Sequence, residues 1–282
     1  MPKLLVTILT FVAVVIIVGA AFITHWLLGI AVILLLVGVV YYRNRFMLYS
    51  MKANMAYTQG REEQALALLE KTTGLDGAGA REFMHYGYLL MKKGDLARAE
   101  QVFRDGLSRS KRREDEMQIK INLATVGWLQ GNRSEAVALL EGVYDSFKTT
   151  MVYGNLGYLK LLHGDAEEAL AFNLEAYDYN GEDQTIRDNL AQTYYTLGRY
   201  EEAEEMYKLV MAKSPRFAEP YYYYALTLRQ LGRTDEAREQ SAAALERQPA
   251  LIPAVTRAEL EQLAEELGVV REQEEEQEQQ QV

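Results

Sequence analysis

The sequence predicts an all-α protein in which a two-helix hydrophobic hairpin precedes a solenoid of about six helix hairpins. Two observations carry this prediction. Residues 4–42 contain no Asp, Glu, Lys or Arg, whereas the remainder of the chain is rich in charge. Beyond that segment a glycine recurs about every 34 residues, with small residues at fixed distances on either side. A fixed period of this length is typical of helical repeat proteins.

The hydrophobic segment is too long for one membrane span. A single helix over residues 4–42 would measure about 58 Å, roughly twice the hydrocarbon thickness of a bilayer. Two spans, at about 4–21 and 26–42, fit if the chain reverses before residue 26, and residues 1–42 are therefore interpreted as a transmembrane hairpin. A cleaved signal peptide is the alternative, but its apolar core is usually only about 7–15 residues long.

The flanking charges predict an orientation. Basic residues lie close to the outer ends of the two spans and are absent from the short turn: Lys3, Arg43, Arg45 and Lys52. Basic residues favour the cytoplasmic side, so both termini and the repeat domain are expected in the cytoplasm, beneath a bacterial-type cytoplasmic membrane. Trp26, Tyr41 and Tyr42 have the amphipathic character expected where a span meets the interface.

Composition argues against several classes of function. The net charge of -10 leaves no basic stripe for nucleic acid, and the absence of cysteine excludes disulfides and thiolate metal sites. The three histidines, His25, His85 and His163, are scattered without a metal-ligand spacing. No phosphate-binding loop, dinucleotide fingerprint or nucleophile motif is present. We therefore expect no catalytic residue, cofactor, metal or small-molecule substrate, with an enzyme as the least favoured alternative.

The repeat follows one rule at three positions. Its turn glycines are Gly60, Gly94, Gly131, Gly164, Gly198 and Gly232. Five residues after each glycine comes an alanine: Ala65, Ala99, Ala136, Ala169, Ala203 and Ala237. Seven residues before each comes a second small residue: Ala53, Gly87, Ala124, Gly157, Ala191 and Ala225. Small residues allow two antiparallel helices to approach closely, and glycine suits the tight turn between them.

Segments such as LGRYEEAEEMYKLVMAKSP and LGRTDEAREQSAAALERQP, with a turn glycine, a small contact residue and a closing proline, resemble the tetratricopeptide repeat family. The resemblance implies a right-handed α-solenoid that binds other proteins. It covers residues 43–251 in six units, at about 46–79, 80–116, 117–149, 150–183, 184–217 and 218–251.

Four local features refine this plan. The extra residues SKRREDE in the second unit predict a longer surface loop. The lack of proline and glycine between Gly38 and Gly60 predicts that the second span continues into the first repeat. Thr256 and Glu259 have capping-box spacing, which predicts a capping helix within 252–269. The acidic tail, 270–282, lacks apolar periodicity and is expected to be disordered.

The resemblance also supplies candidate groove residues. Asn122, Asn155 and Asn189 share one position in consecutive units, where relatives use an asparagine ladder to hold the backbone of an extended peptide. An amide side chain both donates and accepts, which suits a peptide unit of any sequence. The alternative is that these amides form hydrogen bonds within the scaffold.

Three tyrosines complete the predicted site. Tyr158, Tyr195 and Tyr222 align with groove-facing positions and would form an amphipathic stripe beside the asparagines. The alternative is that their rings pack between helices, with only the hydroxyls at the surface.

The predicted function is a membrane-anchored scaffold that recruits another protein, as an extended peptide segment, into the concave groove. The competing interpretation is a structural subunit of a membrane complex, assembled through the transmembrane hairpin and the surface of the repeats.

Overall fold

The structure is a computed structural model and describes residues 3–269, so the predicted disordered tail lies outside the described residues. Within this range all regular structure is helical, which confirms the predicted all-α fold. The fifteen helices of this part are α1 (Lys3–Thr24), α2 (Trp26–Arg43), α3 (Arg45–Thr58), α4 (Glu62–Thr73), α5 (Ala80–Lys92), α6 (Leu96–Ser108), α7 (Arg113–Leu129), α8 (Arg133–Ser146), α9 (Thr150–His163), α10 (Ala166–Asn180), α11 (Gln184–Thr196), α12 (Tyr200–Met211), α13 (Glu219–Gln230), α14 (Thr234–Leu245) and α15 (Arg257–Leu267).

The chain divides into two compact units, Met1–Leu89 and Leu90–Val282, with the division inside α5. In the first unit α1 packs against α2, and His25 is the only residue between them. The extended backbone of His25 reverses the chain, and its Nδ1 accepts from the amide of Leu27 at 3.2 Å. The Phe22 ring covers Gly29, where any Cβ would overlap it. Glycine at this position therefore lets the two helices approach.

The surfaces of α1 and α2 are apolar and exposed. The segments Leu5–Thr24 and Trp26–Arg43 have mean hydropathies of 2.9 and 2.1, and 0% and 6% of their residues are buried. Large exposed apolar surfaces of this kind mark sites of contact with a membrane or with another protein. By length and composition these two helices are candidate membrane spans.

The predicted continuous passage from α2 into the first repeat is interrupted at one residue. Asn44 leaves the helical conformation, with φ of -102° and ψ of 10°. Its backbone N–H and its Nδ2 both donate to the carbonyl of Val40, at 3.0 and 2.8 Å. The side chain thus competes with the helix for the same carbonyl, which is a common way for asparagine to end a helix.

Paired helices build the second unit. The hairpins α7/α8, α9/α10, α11/α12 and α13/α14 each pack internally, and each second helix also contacts the next first helix. In addition α11 contacts both α9 and α13, so these three first helices form one continuous wall. Here we call its surface the groove wall.

The small residues lie at the helix contacts, as the repeat rule predicts. Ala124, Ala191 and Ala225 on first helices, and Ala169 and Ala203 on second helices, are all 0% exposed. A larger side chain at such a contact would push the helices apart. Spacing in the sequence thus encodes the pairing of each hairpin.

Most of the turn glycines adopt the left-handed conformation that favours glycine. Those with positive φ are Gly60, Gly94, Gly131, Gly198 and Gly232. Gly164 differs, with φ of -106° and ψ of -165°. The following residue, Asp165, caps α10 by accepting from the amides of Glu167 and Glu168. This turn therefore follows an extended route into its second helix.

The predicted long loop in the second unit is wrong. Only residues 109–112 separate α6 from α7, and the extra residues lengthen α7 to 17 residues. Glu114, Asp115 and Glu116 occupy its first turn. Negative charge near a helix N-terminus is stabilising, so this acidic stretch favours the helix over a loop.

The chain ends its described part with α15, which packs on α14. Thr256 accepts from the amide of Glu259, whose carboxylate accepts from the amide of Thr256 at 2.7 Å, forming a capping box. Gly268 ends the helix with φ of 80°. Between α14 and α15 the chain has no regular secondary structure.

Candidate functional site

The groove wall carries two of the three predicted ladder asparagines, because Asn122 lies on α7, and a tyrosine occupies the same repeat position on α13. Asn122, Asn155 and Asn189, on α7, α9 and α11, each lie nine residues before a repeat glycine. The same position on α13 is Tyr223, nine residues before Gly232. The ladder register therefore continues into the last repeat with a tyrosine.

Two of the three asparagine amides form hydrogen bonds within the protein. Asn189 is 2% exposed, and its Nδ2 donates to the carbonyl of Gly154 at 2.8 Å, tying α11 to α9. Asn155 is half-buried, and its Nδ2 donates one turn back to the carbonyl of Met151 at 2.8 Å. Asn122 is also half-buried. Contact between this ladder and a ligand remains a prediction, with Asn122 and Asn155 the more accessible members.

The predicted tyrosines fall into two groups. Tyr195 and Tyr222 are half-buried, and their ring centroids lie 5.6 and 5.3 Å from that of Tyr223. Edge-on aromatic contacts of this kind are favourable. Tyr158 has a separate role in the structure, because its hydroxyl contacts a distant part of the chain.

The segment 248–255, which we call the groove strap, joins α14 to α15 and lies against the groove wall. The hydroxyl of Tyr158 donates to the carbonyl of Ile252 at 2.8 Å, across 94 positions of sequence. The hydroxyl of Tyr223 donates to the carbonyl of Ala254 at 3.3 Å. Both carboxylate oxygens of Glu219 accept from the amide of Ala250, at 2.9 and 3.1 Å. The wall thus holds the backbone of a non-helical segment at alternate residues.

Two side chains of the strap anchor it in apolar surroundings. Ile252 packs against the hydrophobic cluster that includes Leu156 and Leu159 of α9. Val255 is 2% exposed and joins Ala218, Tyr221, Ala244 and Leu260 in another cluster. Pro253, between these anchors, is exposed. The strap therefore has one edge in the groove and one edge in solvent.

Two carboxylates give the groove an acidic character. Burial and the charge of Glu219 raise the pKa of Asp188 on α11 to about 7. Burial also raises the pKa of Glu219, although backbone amides bonded to its carboxylate oppose the change. Within residues 3–269 neither carboxylate forms an ion pair. Burial and these negative charges raise the pKa of Tyr158, so its hydroxyl stays a hydrogen-bond donor.

Sequence reasoning missed Asp188, Glu219, Tyr223 and the strap itself. Tyr223 could have been predicted from the sequence, because it lies nine residues before a repeat glycine, as the ladder asparagines do. The strap had one signal, the apolar run from Leu251 to Val255 in a connection between two helices. Connecting segments are usually polar and solvated, so an apolar one indicates packing against the domain.

The comparisons with known proteins agree with this architecture. Three family models, each described as tetratricopeptide repeat, match residues 50–112, 184–214 and 218–251. No curated protein matches the sequence.

Solved structures resemble the chain in fold. PilF of Pseudomonas aeruginosa superposes with a TM-score of 0.59 at 17% identity, over 80% of this chain and 99% of that one. A tetratricopeptide repeat protein of Parabacteroides merdae has a TM-score of 0.56 at 15% identity, over 82% and 88%. PilW, described as a type IV pilus biogenesis factor, has a TM-score of 0.59 at 16% identity, over 71% and 92%.

At such low identities a structural likeness carries information about the fold alone. The helix hairpins, the buried small residues and the turn glycines give the same result from the chain's own geometry. Together, the family models and the structural neighbours support the assignment of the helical repeats to the tetratricopeptide repeat family, whose members generally mediate protein–protein interactions.

Proposed function

We propose that this protein is a membrane-anchored scaffold that recruits a partner protein by holding an extended segment of it in the groove. The observation that carries the proposal is the hydrogen bond from Tyr158 to the backbone of Ile252. A wall that holds a backbone carbonyl of a non-helical segment has the donors that peptide recognition requires. The partner is therefore another protein, recognised partly through its main chain.

The anchor is the hairpin of α1 and α2. Its apolar surface is exposed on both helices, and each helix is long enough to cross the hydrocarbon core. The bias of Lys3, Arg43, Arg45 and Lys52 toward the outer ends of the hairpin favours a cytoplasmic location for the repeats and both termini. We infer that the protein concentrates its partner at the cytoplasmic face of the membrane.

Site-specific photo-crosslinking in native membranes tests the groove. A photoreactive residue replaces Asn155 on the groove wall, and a matched control replaces Leu174 on the second helix of the same repeat, which is 40% exposed. We expect a partner adduct from position 155 and none from position 174. Adducts from position 174 alone would move the interaction to the opposite face of the repeats.

The absence of cysteine makes topology directly measurable, because one introduced cysteine is the only reactive thiol. We expect Thr24→Cys, at the end of α1 next to the turn of the hairpin, to react with a membrane-impermeant maleimide on intact cells. Gly74→Cys, after the first hairpin of the repeats, should react only after permeabilisation. Labelling of Gly74→Cys in intact cells would contradict the orientation.

A structural subunit of a membrane complex is the second candidate. Gly19 and Gly38 on the spans have open space where a Cβ would be, and small residues let another membrane helix approach closely. Replacing the hairpin with an unrelated two-span hairpin separates the two functions. Retained partner capture by the chimaera favours the groove, whereas loss of capture with normal insertion favours the spans.

A further inference from the structure

We infer that the groove strap is a built-in occupant of the peptide groove, and that a partner's aliphatic segment of the same backbone geometry binds by displacing it. This inference rests on the proposed function, since it names the ligand chemistry and the regulation of that same groove. The strap shows what the groove accepts. While it is in place, it also occupies Tyr158, Tyr223 and Glu219, so no other chain can use these hydrogen-bonding groups.

The contacts of the strap define recognition through the main chain. Ala250, Ile252 and Ala254 are held through one amide and two carbonyls, by Glu219, Tyr158 and Tyr223 respectively. None of these bonds involves a side chain of the strap, so a different sequence could form them equally well. Pro249 and Pro253 keep the segment out of a helix, which leaves its backbone groups available to the wall.

The side chains of the strap define which sequences fit. The partly buried Ile252 packs against the apolar cluster that includes Leu156 and Leu159, so the groove favours an aliphatic residue at that position. The exposed Pro253 imposes no such requirement. Hydrogen bonds to the main chain with a pocket for one side chain are typical of domains that bind extended peptides.

The groove also retains an electrostatic preference that the strap leaves unmet. The carboxylate of Glu219 is bonded only by neutral backbone amides, and Asp188 has no cationic partner within residues 3–269. Hydrogen bonds from a cation to a carboxylate are stronger than those from a neutral amide. A partner segment with a basic residue near these carboxylates would therefore compete better than the strap itself.

Covalent linkage gives the strap its advantage over an unlinked peptide. A segment tethered on both sides, by α14 and α15, acts at an effective concentration of order millimolar. A free peptide of equal intrinsic affinity binds only the fraction of molecules whose groove is open. Releasing the strap should raise the apparent affinity for such a peptide.

The test uses the full chain in lipid nanodiscs and a fluorescent peptide of residues 247–256, capped at both ends, followed by fluorescence polarisation. Ile252→Asp places a charge in the apolar cluster and should release the strap. We expect this variant to bind the peptide at least tenfold more tightly than the wild type. The matched control Gln248→Asp adds the same charge at an exposed position of the strap and should bind like the wild type.

A second substitution locates the binding. Tyr158→Phe, introduced into the Ile252→Asp variant, removes one donor to the peptide backbone and should weaken binding by about fivefold to tenfold. If circular dichroism shows that Ile252→Asp has lost helicity, Ile252→Ala takes its place in every comparison. Unchanged binding after Tyr158→Phe would place the peptide outside the groove and overturn the inference.

The two proposals fail in different ways. If the released variant binds the peptide no more tightly than the wild type, the strap does not compete and this inference is wrong. The crosslink from position 155 to a partner would still be expected in that case, because Asn155 is not among the residues that hold the strap. Absence of that crosslink counts against the proposed function itself.

Discussion

The side-chain oxygen of Asn173 occupies the space in which a Cβ at position 157 would lie. Asn173 is 0% exposed, and its Nδ2 donates to the hydroxyl of Thr193 at 3.0 Å, while its Oδ1 has no hydrogen-bond partner among residues 3–269. The small residue of this repeat is therefore glycine and not alanine, because the buried amide of Asn173 fills the space that an alanine methyl group would need.

This relationship predicts a rescue. Gly157→Ala alone should destabilise the repeats by about 1–3 kcal/mol, because the new methyl overlaps a side chain in a tightly packed contact. Asn173→Ala removes the overlapping oxygen. The double variant should therefore lose less free energy of unfolding than the sum of the losses of the two single variants. Urea denaturation of all four proteins measures the coupling. Strict additivity would show that the two residues do not interact.

Asp188 predicts a dependence of stability on pH. Burial and the charge of Glu219 raise its folded pKa from 3.8 to about 7. Between these values the folded state binds more protons than the unfolded state, so the free energy of unfolding should fall as pH rises through this window. Asp188→Asn should flatten that dependence, by on the order of 1–3 kcal/mol between pH 4 and pH 8.

Denaturant midpoints at pH 4, 5, 6, 7 and 8 measure this effect. The control is Asp178→Asn, which removes an exposed carboxylate on α10 and should leave the pH profile unchanged. An equal slope in the Asp188→Asn protein would mean that this carboxylate is well solvated in the folded state.

The capping box predicts the local stability of α15. Thr256→Ala removes the side-chain oxygen that accepts from the amide of Glu259, and loss of such a cap typically costs about 1 kcal/mol. Hydrogen exchange of the α15 amides should accelerate accordingly. Thr234→Ala is the matched control, because the helix that begins at this residue has no side-chain cap. Equal protection in both variants would contradict the role of Thr256.

A tyrosine pair connects two repeats. The hydroxyls of Tyr144 and Tyr153 both donate to Glu175, and these bonds lower the pKa of its carboxyl group although burial opposes them. Tyr144→Phe and Tyr153→Phe should therefore be coupled by about 0.5–1 kcal/mol in a double-mutant cycle. A lowered folded pKa contributes stability above the unfolded value that is lost as pH falls, so the coupling should decline in acid. A coupling that persists at pH 3 would contradict this account.

The sequence predicted the helical plan well because that plan is local. A glycine and two small residues at fixed distances specify one hairpin, and each hairpin needs only its neighbours to be buried. Gly164 departs from the common turn because Asp165 caps α10 from an extended backbone, and the spacing pattern does not record that alternative. The acidic residues after Arg112 favour a longer α7, whereas the number of extra residues in the second unit, taken alone, predicted a longer loop.

The candidate site was less predictable. Alignment placed Asn189 in the ladder, but its use as a bridge to the carbonyl of Gly154 depends on the distance between α9 and α11. The strap depends on backbone atoms of Ile252 and Ala254, and backbone groups leave no trace in a pattern of side chains. The pairing of Tyr158 with a carbonyl 94 positions away is a product of the whole second unit.

The single-residue break at Asn44 leaves almost no slack between the second candidate span and the first repeat. One residue of extended chain spans only about 3.5 Å, so α3 cannot drift from the end of α2 as a domain on a flexible linker would. If α2 crosses the bilayer, the first hairpin of the repeats lies close to the membrane surface. Any protein docked there would diffuse in two dimensions, and lengthening the joint at Asn44 would turn a fixed platform into a tethered one.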